Sequence, residues 1–122
     1  MPDVPVVTLS TPLPASPAVE QALRAVCTAI ADAIGAPAET VWAHHVQTGS
    51  EWHGADDRTA AGWCPVVIVR GRSRDEDAVR AALTGAAIAT ADALRVPVED
   101  VWLQWVEVAP GHAFAGGAVV ER

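Results

Sequence analysis

The chain has 122 residues, 51% of them hydrophobic, and a net charge of −7. That length suits one domain, and the hydrophobic share excludes a disordered chain. The acidic balance lacks the basic footprint of a nucleic-acid binder, no apolar run reaches the roughly 18 residues of a membrane span, and Met1-Pro2-Asp3 begins no signal peptide, so the expectation is a cytoplasmic protein with neither nucleic-acid nor membrane partners.

Residues 4–10, VPVVTLS, predict a strand, with Pro5 at its start where no ladder donor is needed. Ser16 and Pro17 read as the N-cap and first position of a helix over residues 17–34. Val19, Leu23, Val26, Ile30 and Ile34 form its apolar face, and Gly35 and Pro37 end it. Residues 41–47 predict a second strand. Residues 48–62 are a polar connection with hairpin character. Residues 64–70 predict a third strand, Ser73 or Asp75 caps a helix over 75–94, and 101–108 predict a fourth strand. A glycine-rich turn over 110–117 and a short last strand at 118–120 close the chain.

The second half of this list repeats the first. Residues 2–46 lie over 62–106 without a gap. Pro5-Val6-Val7 falls on Pro65-Val66-Val67, and Ala31-Asp32-Ala33 on Ala91-Asp92-Ala93. Pro37, Val41 and Trp42 fall on Pro97, Val101 and Trp102. Residues 1–122 are therefore one domain made of two β-α-β units, 2–61 and 62–122. The expected class is α/β (α+β): a four-stranded sheet with parallel, right-handed crossovers and both helices on one face. The other face carries Val, Ile and Trp, which predicts its burial against further subunits.

The chemistry-bearing residues are few. All eight basic residues are arginine and there is no tyrosine, which removes lysine Schiff bases and phenol acids. Cys27 and Cys64 read as structural thiols, and the four histidines show no metal-ligand spacing, so no metal or cofactor is expected. His44 and His45 are adjacent on a strand and must face opposite sides.

Val69-Arg70-Gly71-Arg72-Ser73, Pro97, and Gly111-His112-Ala113-Phe114-Ala115-Gly116-Gly117 resemble motifs of the tautomerase superfamily, which is built from this repeated unit. The fused length resembles malonate semialdehyde decarboxylases and cis-3-chloroacrylic acid dehalogenases. The resemblance implies a tautomerase/MIF-like fold, a homotrimer, and catalysis without a cofactor by an N-terminal proline. Pro2, once Met1 is removed, is the implied base, and Gly62 is its inert counterpart. Such an amine titrates near about 8 in a peptide, and burial beside an arginine lowers it toward neutrality. Arg72 first and Arg70 second are the implied carboxylate clamps. Trp42, Gln104, Phe114 and His44 are the candidate substrate-binding residues, for a small molecule carrying a carboxylate. Trp42 stands where the short tautomerases carry arginine, so it is either an interface aromatic or the wall of an apolar pocket. Thr40 replaces the decarboxylases' aspartate and Ala115 the dehalogenases' glutamate. The implied activity is thus tautomerisation of a 2-oxo acid. The alternatives are decarboxylation or hydration of a three-carbon acid, or a non-catalytic trimeric scaffold if Met1 is retained.

Overall fold

The structure, a computed structural model, describes residues 5–121. Four long strands and two helices follow one another as two strand-helix-strand units: β1 (Val6–Thr11), α1 (Pro17–Ile34), β2 (Trp42–Gln47), then β5 (Val66–Gly71), α2 (Glu76–Leu94), β6 (Trp102–Glu107). Between and after them lie two-residue hairpin strands: β3 (Trp52–His53) with β4 (Asp56–Asp57), and β7 (Phe114–Ala115) with β8 (Ala118–Val119). Short 3-10 turns, Ala38–Thr40 and Val98–Asp100, precede β2 and β6. These turns displace the starts of β2 and β6 by one residue from the sequence expectation, because the N–H groups of Val41 and Val101 close the turns instead of entering the ladder.

The helices begin and end as their caps dictate. The Ser16 hydroxyl accepts the Val19 N–H at 3.3 Å, and the Asp75 carboxylate accepts the Ala78 N–H at 2.8 Å. Asp75, not Ser73, is the second cap. Val19, Val26 and Ile30 are buried as the periodicity predicts, while Leu23 and Ile34 are only half-buried and Ala22 and Ala31 join the core. The second helix offers smaller residues at the matching positions, Ala86 for Val26 and Thr90 for Ile30. Thr90 is fully buried, and its hydroxyl donates to the Ala86 carbonyl at 2.8 Å, which satisfies it inside the core.

The sheet order is β2-β1-β5-β6. β1 pairs parallel with β2, and β5 parallel with β6. β1 and β5 meet antiparallel at the centre, with Thr8 opposite Ile68. Thr8 and Ile68 are also the same position of the two repeats, so a local twofold axis passes through this pair. Val7, Leu9, Val67 and Val69 point to the helices and are fully buried. Val6, Thr8, Ser10, Val66, Ile68 and Arg70 point to the other face, as period-two alternation requires. One layer of helices thus covers one side of the sheet, and among the described residues no element covers the other.

His45 faces the helix side at the rim of this core, and its Nε2 lies 2.8 Å from the buried Thr11 hydroxyl. That hydroxyl accepts the Leu13 N–H at 3.1 Å and has its proton to give to the imidazole. Burial pushes the His45 pKa below its ordinary value, partly offset by a hydrogen bond to the Thr11 backbone. Below its folded pKa the ring is charged in both states, and above its ordinary value of about 6.5 it is neutral in both. Stability from this group is therefore complete above about pH 6.5 and lost as pH falls below it. His45→Asn should flatten the pH dependence of the urea midpoint between about pH 7.5 and 5 relative to the parent. An unchanged slope would show that other groups dominate there.

The helix C-caps differ between the repeats. Gly35 takes the left-handed conformation at φ 70°, and Arg95 takes it at φ 57° with a side chain. A non-glycine residue there is strained by about 1–2 kcal/mol, part of which glycine returns through its greater freedom when unfolded. Arg95→Gly is expected to stabilise the chain by about 0.5–1 kcal/mol in chemical denaturation. A loss of stability would mean that the Arg95 side chain contributes more than its backbone strain.

Candidate active site

The register of the four strands sorts the open face into rows. At one end, Trp42, Val6, Arg70 and Val106 stand side by side across the sheet. The next row is His44, Thr8, Ile68 and Gln104, and the third is Val46, Ser10, Val66 and Trp102. Neighbouring strands lie about 4.8 Å apart, so Trp42 and Arg70 flank Val6 with about 10 Å between their backbones. The Trp42 N–H bonds the Pro5 carbonyl at 3.0 Å, which ties the start of β1 to this end. Pro2 itself lies outside the described residues.

Arg70 reaches inward along the face. Its Nη1 donates to the Thr8 hydroxyl at 3.4 Å, and that hydroxyl lies 3.1 Å from His44 Nε2. A polar line thus crosses three strands, Arg70–Thr8–His44, and holds the guanidinium on the open face. Thr8 was not singled out in the sequence; its role follows from lying on the local twofold axis, where β1 must pass between Arg70 and His44. Arg72 follows β5 directly and is exposed at the same end. The pair of arginines does not continue one straight strand, because β5 ends at Gly71. Gly71 is buried, and a Cβ there would come within 2.9 Å of the Trp105 ring. The glycine of the Gly-Arg-Ser stretch therefore lets the indole pack beneath the strand end from the helix side.

Of the other expected binding residues, His44 and Gln104 share the middle row at opposite edges of the sheet, three strands apart. Phe114 sits on the β7–β8 hairpin, 72% exposed, beyond the end of β6 that lies beside Arg70. Trp42 is 69% exposed and Trp102 61% exposed, so neither is a core residue of this chain. The two indoles stand at opposite ends of the sheet, as the twofold axis demands. Cys27 and Cys64 are free, half-buried thiols, and burial pushes both pKa values up. Among the described residues no group of three histidine, cysteine or carboxylate side chains is placed to hold a metal ion. No helix among them is long and apolar enough to cross a membrane.

The arrangement offers a fixed cation, an aromatic wall and an apolar floor at the end of the sheet where the chain enters. Such a surface suits an anionic group with an apolar body.

No family model matches the chain, and neither does any curated protein. Solved structures do. The native fused 4-OT superposes with a TM-score of 0.84 at 18% identity, covering 93% of this chain and 94% of that one. The macrophage migration inhibitory factor of Toxoplasma gondii superposes with a TM-score of 0.76 at 21% identity, covering 93% and 98%. Malonate semialdehyde decarboxylase superposes with a TM-score of 0.67 at 18% identity, covering 91% and 90%. These neighbours are members of the tautomerase superfamily, and at such identities what they share with this chain is the fold. The chain has the tautomerase/MIF fold in its fused, two-unit form.

Proposed function

We propose that the protein is a cofactor-independent isomerase of the tautomerase type, with Pro2 as the base once Met1 has been removed. The substrate is a 2-oxo acid or a related carbonyl compound. The observation that carries this reading is the row Trp42–Val6–Arg70: the strand that leads out of Pro2 starts between a guanidinium and an indole. Covalent reach keeps Pro2 within about 11 Å of Pro5. A secondary amine near a guanidinium is held neutral at pH 7 and can move a proton between carbon and oxygen. Arg70, with Arg72, binds the carboxylate and the developing enolate charge. Trp42 in place of an arginine favours a single-carboxylate substrate with an aryl or alkyl body over a diacid. Gln104, His44 and Phe114 complete the pocket only when the sheets of several copies meet.

Lyase chemistry is less well supported. The Thr40 hydroxyl donates to the Pro37 carbonyl at 2.7 Å, and Ala115 offers only a methyl group. Neither position supplies an acid to handle water or carbon dioxide.

The open sheet face supports assembly. Trp42, Trp102, Val6 and Val46 are all exposed there, and apolar side chains of this size on one sheet face call for cover. Structures of fused 4-OT are named as symmetric and asymmetric trimers. A homotrimer of this chain would turn three open faces inward and bring each Arg70 end toward a neighbouring copy.

With phenylenolpyruvate as substrate, the mature protein should catalyse ketonisation, and Pro2→Ala should lower kcat/KM by about 10²–10⁴-fold. Arg70→Gln should raise KM by about tenfold or more. Full activity in Pro2→Ala, or none in a protein whose intact mass shows a free Pro2, would overturn the assignment. In light scattering the parent should weigh three times the chain mass, and Trp42→Asp with Trp102→Asp should release monomers; a monomeric parent rules out the trimer.

A further inference from the structure

The end of the sheet opposite Arg70 carries a cavity of about 420 Å³, which the proposed reaction does not use. It lies about 13 Å along β5 from the Arg70 row, at Val66. Glu51, Trp52, His53, Arg58, Val66 and Asp100 line it, together with Gly62 and Cys64. It is the twofold counterpart of the candidate active site, since Gly62 and Asp100 match Pro2 and Thr40. The peptide nitrogen of Gly62 is an amide and not a base, so the reaction assigned to Pro2 has no equivalent here.

The walls are built rigidly. The Glu51 carboxylate accepts the Cys64 N–H, and the Glu51 carbonyl accepts the Arg58 N–H at 2.7 Å, which closes the connection between the repeats. The Thr59 N–H bonds the Asp57 carboxylate at 2.9 Å and steadies the β3–β4 hairpin. Gly62 has φ 74°, and a Cβ on it would come within 2.6 Å of Arg58 Nη1, so the guanidinium lies against the bare backbone.

The charges of this cavity are arranged in an unusual way. Arg58 makes no side-chain hydrogen bond among the described residues, and its one ion pair, with Asp56, is loose at 3.7 Å. Asp100 lines the same cavity, yet it and Arg58 do not pair with each other. Opposite charges held apart in one concave site leave each incompletely compensated. A ligand that carries both charges bridges them. The Trp52 indole and Val66 add an apolar surface, and an aromatic face also attracts a cation. Burial, and then the Asp100 and Glu51 charges, push the Cys64 thiol pKa up, partly offset by Arg58.

We propose that this cavity binds a small zwitterion of the α-amino-acid class, its carboxylate on Arg58, its ammonium on Asp100 and Glu51, and an apolar side chain against Trp52 and Val66. The volume accommodates such a molecule. Recognition of both charges distinguishes this site from the Arg70 end, which offers a cation without a matching acid in its row.

Calorimetric titration of the full chain with L-phenylalanine, 3-phenylpropionate and phenethylamine tests the assignment without reference to turnover. In the Arg70→Gln chain, whose other end has lost its carboxylate clamp, L-phenylalanine should bind, and the two analogues, each lacking one charge, should bind at least about tenfold more weakly. Arg58→Gln and Asp100→Asn should each weaken L-phenylalanine by about tenfold, and Gly62→Ala, which displaces the guanidinium without removing it, should do the same. Binding should survive Arg70→Gln. Equal binding of 3-phenylpropionate marks an anion site, and equal binding of phenethylamine a cation site; either result overturns the proposal. So does the absence of any heat up to about 20 mM ligand, or loss of binding in Arg70→Gln with retention in Arg58→Gln.

Discussion

The antiparallel pairing of β1 with β5 is the constraint on which everything else depends. Each repeat alone is a parallel strand pair with one helix, and a unit of that size buries too little to be stable. Placing Thr8 opposite Ile68 joins two such pairs into one sheet, sets both helices on the same face, and merges their apolar sides into one core around Val7, Leu9, Val67 and Val69. It also fixes what is brought to each end of the sheet. Had the register slipped by two residues, Arg70 would no longer stand beside Val6, and the Arg70–Thr8–His44 line could not form.

The same pairing explains why one symmetric plan yields two unlike ends. A twofold axis places equivalent backbone at both, but not equivalent side chains. Ser10 stands where Arg70 stands, and Thr40 where Asp100 stands. The basic group of the second end comes instead from the connection, as Arg58, which at the 60-residue offset faces Ala118 in the second repeat. The first end keeps the chain entry and the guanidinium line; the second keeps an acid, an arginine and an aromatic wall. Each end thus holds a different charge pattern on a common frame.

Much of the fold was legible in the sequence because its signals are local. Ser16, Pro17 and Gly35 marked the limits of α1 to the residue, and the 60-residue offset predicted the second unit from the first. The apolar alternation of the strands announced which face meets the helices. Where the reading missed, the deciding interaction was not local. Val41 and Val101 look like strand residues, yet their N–H groups are taken by 3-10 turns. Arg95 gave no sign of a left-handed cap, because nothing in its side chain favours one. The order of strands, and with it the neighbours Trp42, Val6 and Arg70, could not be obtained from periodicity, which is blind to partners. Residues 48–62 read as a polar connection; only the contact of Glu51 with Cys64, thirteen positions along, folds them into a cavity wall.

The two tryptophans carry the last step of the argument. Trp42 and Trp102 occupy one position in both repeats, face the open side, and head the strand at each end. A residue needed only for one reaction would be expected at one end. A residue present at both, on a face that the helices leave uncovered, answers a demand that both halves share, and covering that face is such a demand. The indole is amphipathic, large and stiff, so it can seal a contact with its ring and still line a cleft with its edge. Assembly and the pocket wall are then not rival roles for Trp42: in the proposed trimer, the burial that covers its ring would also exclude water from the Arg70 end, and a guanidinium in a drier cleft holds a carboxylate more strongly.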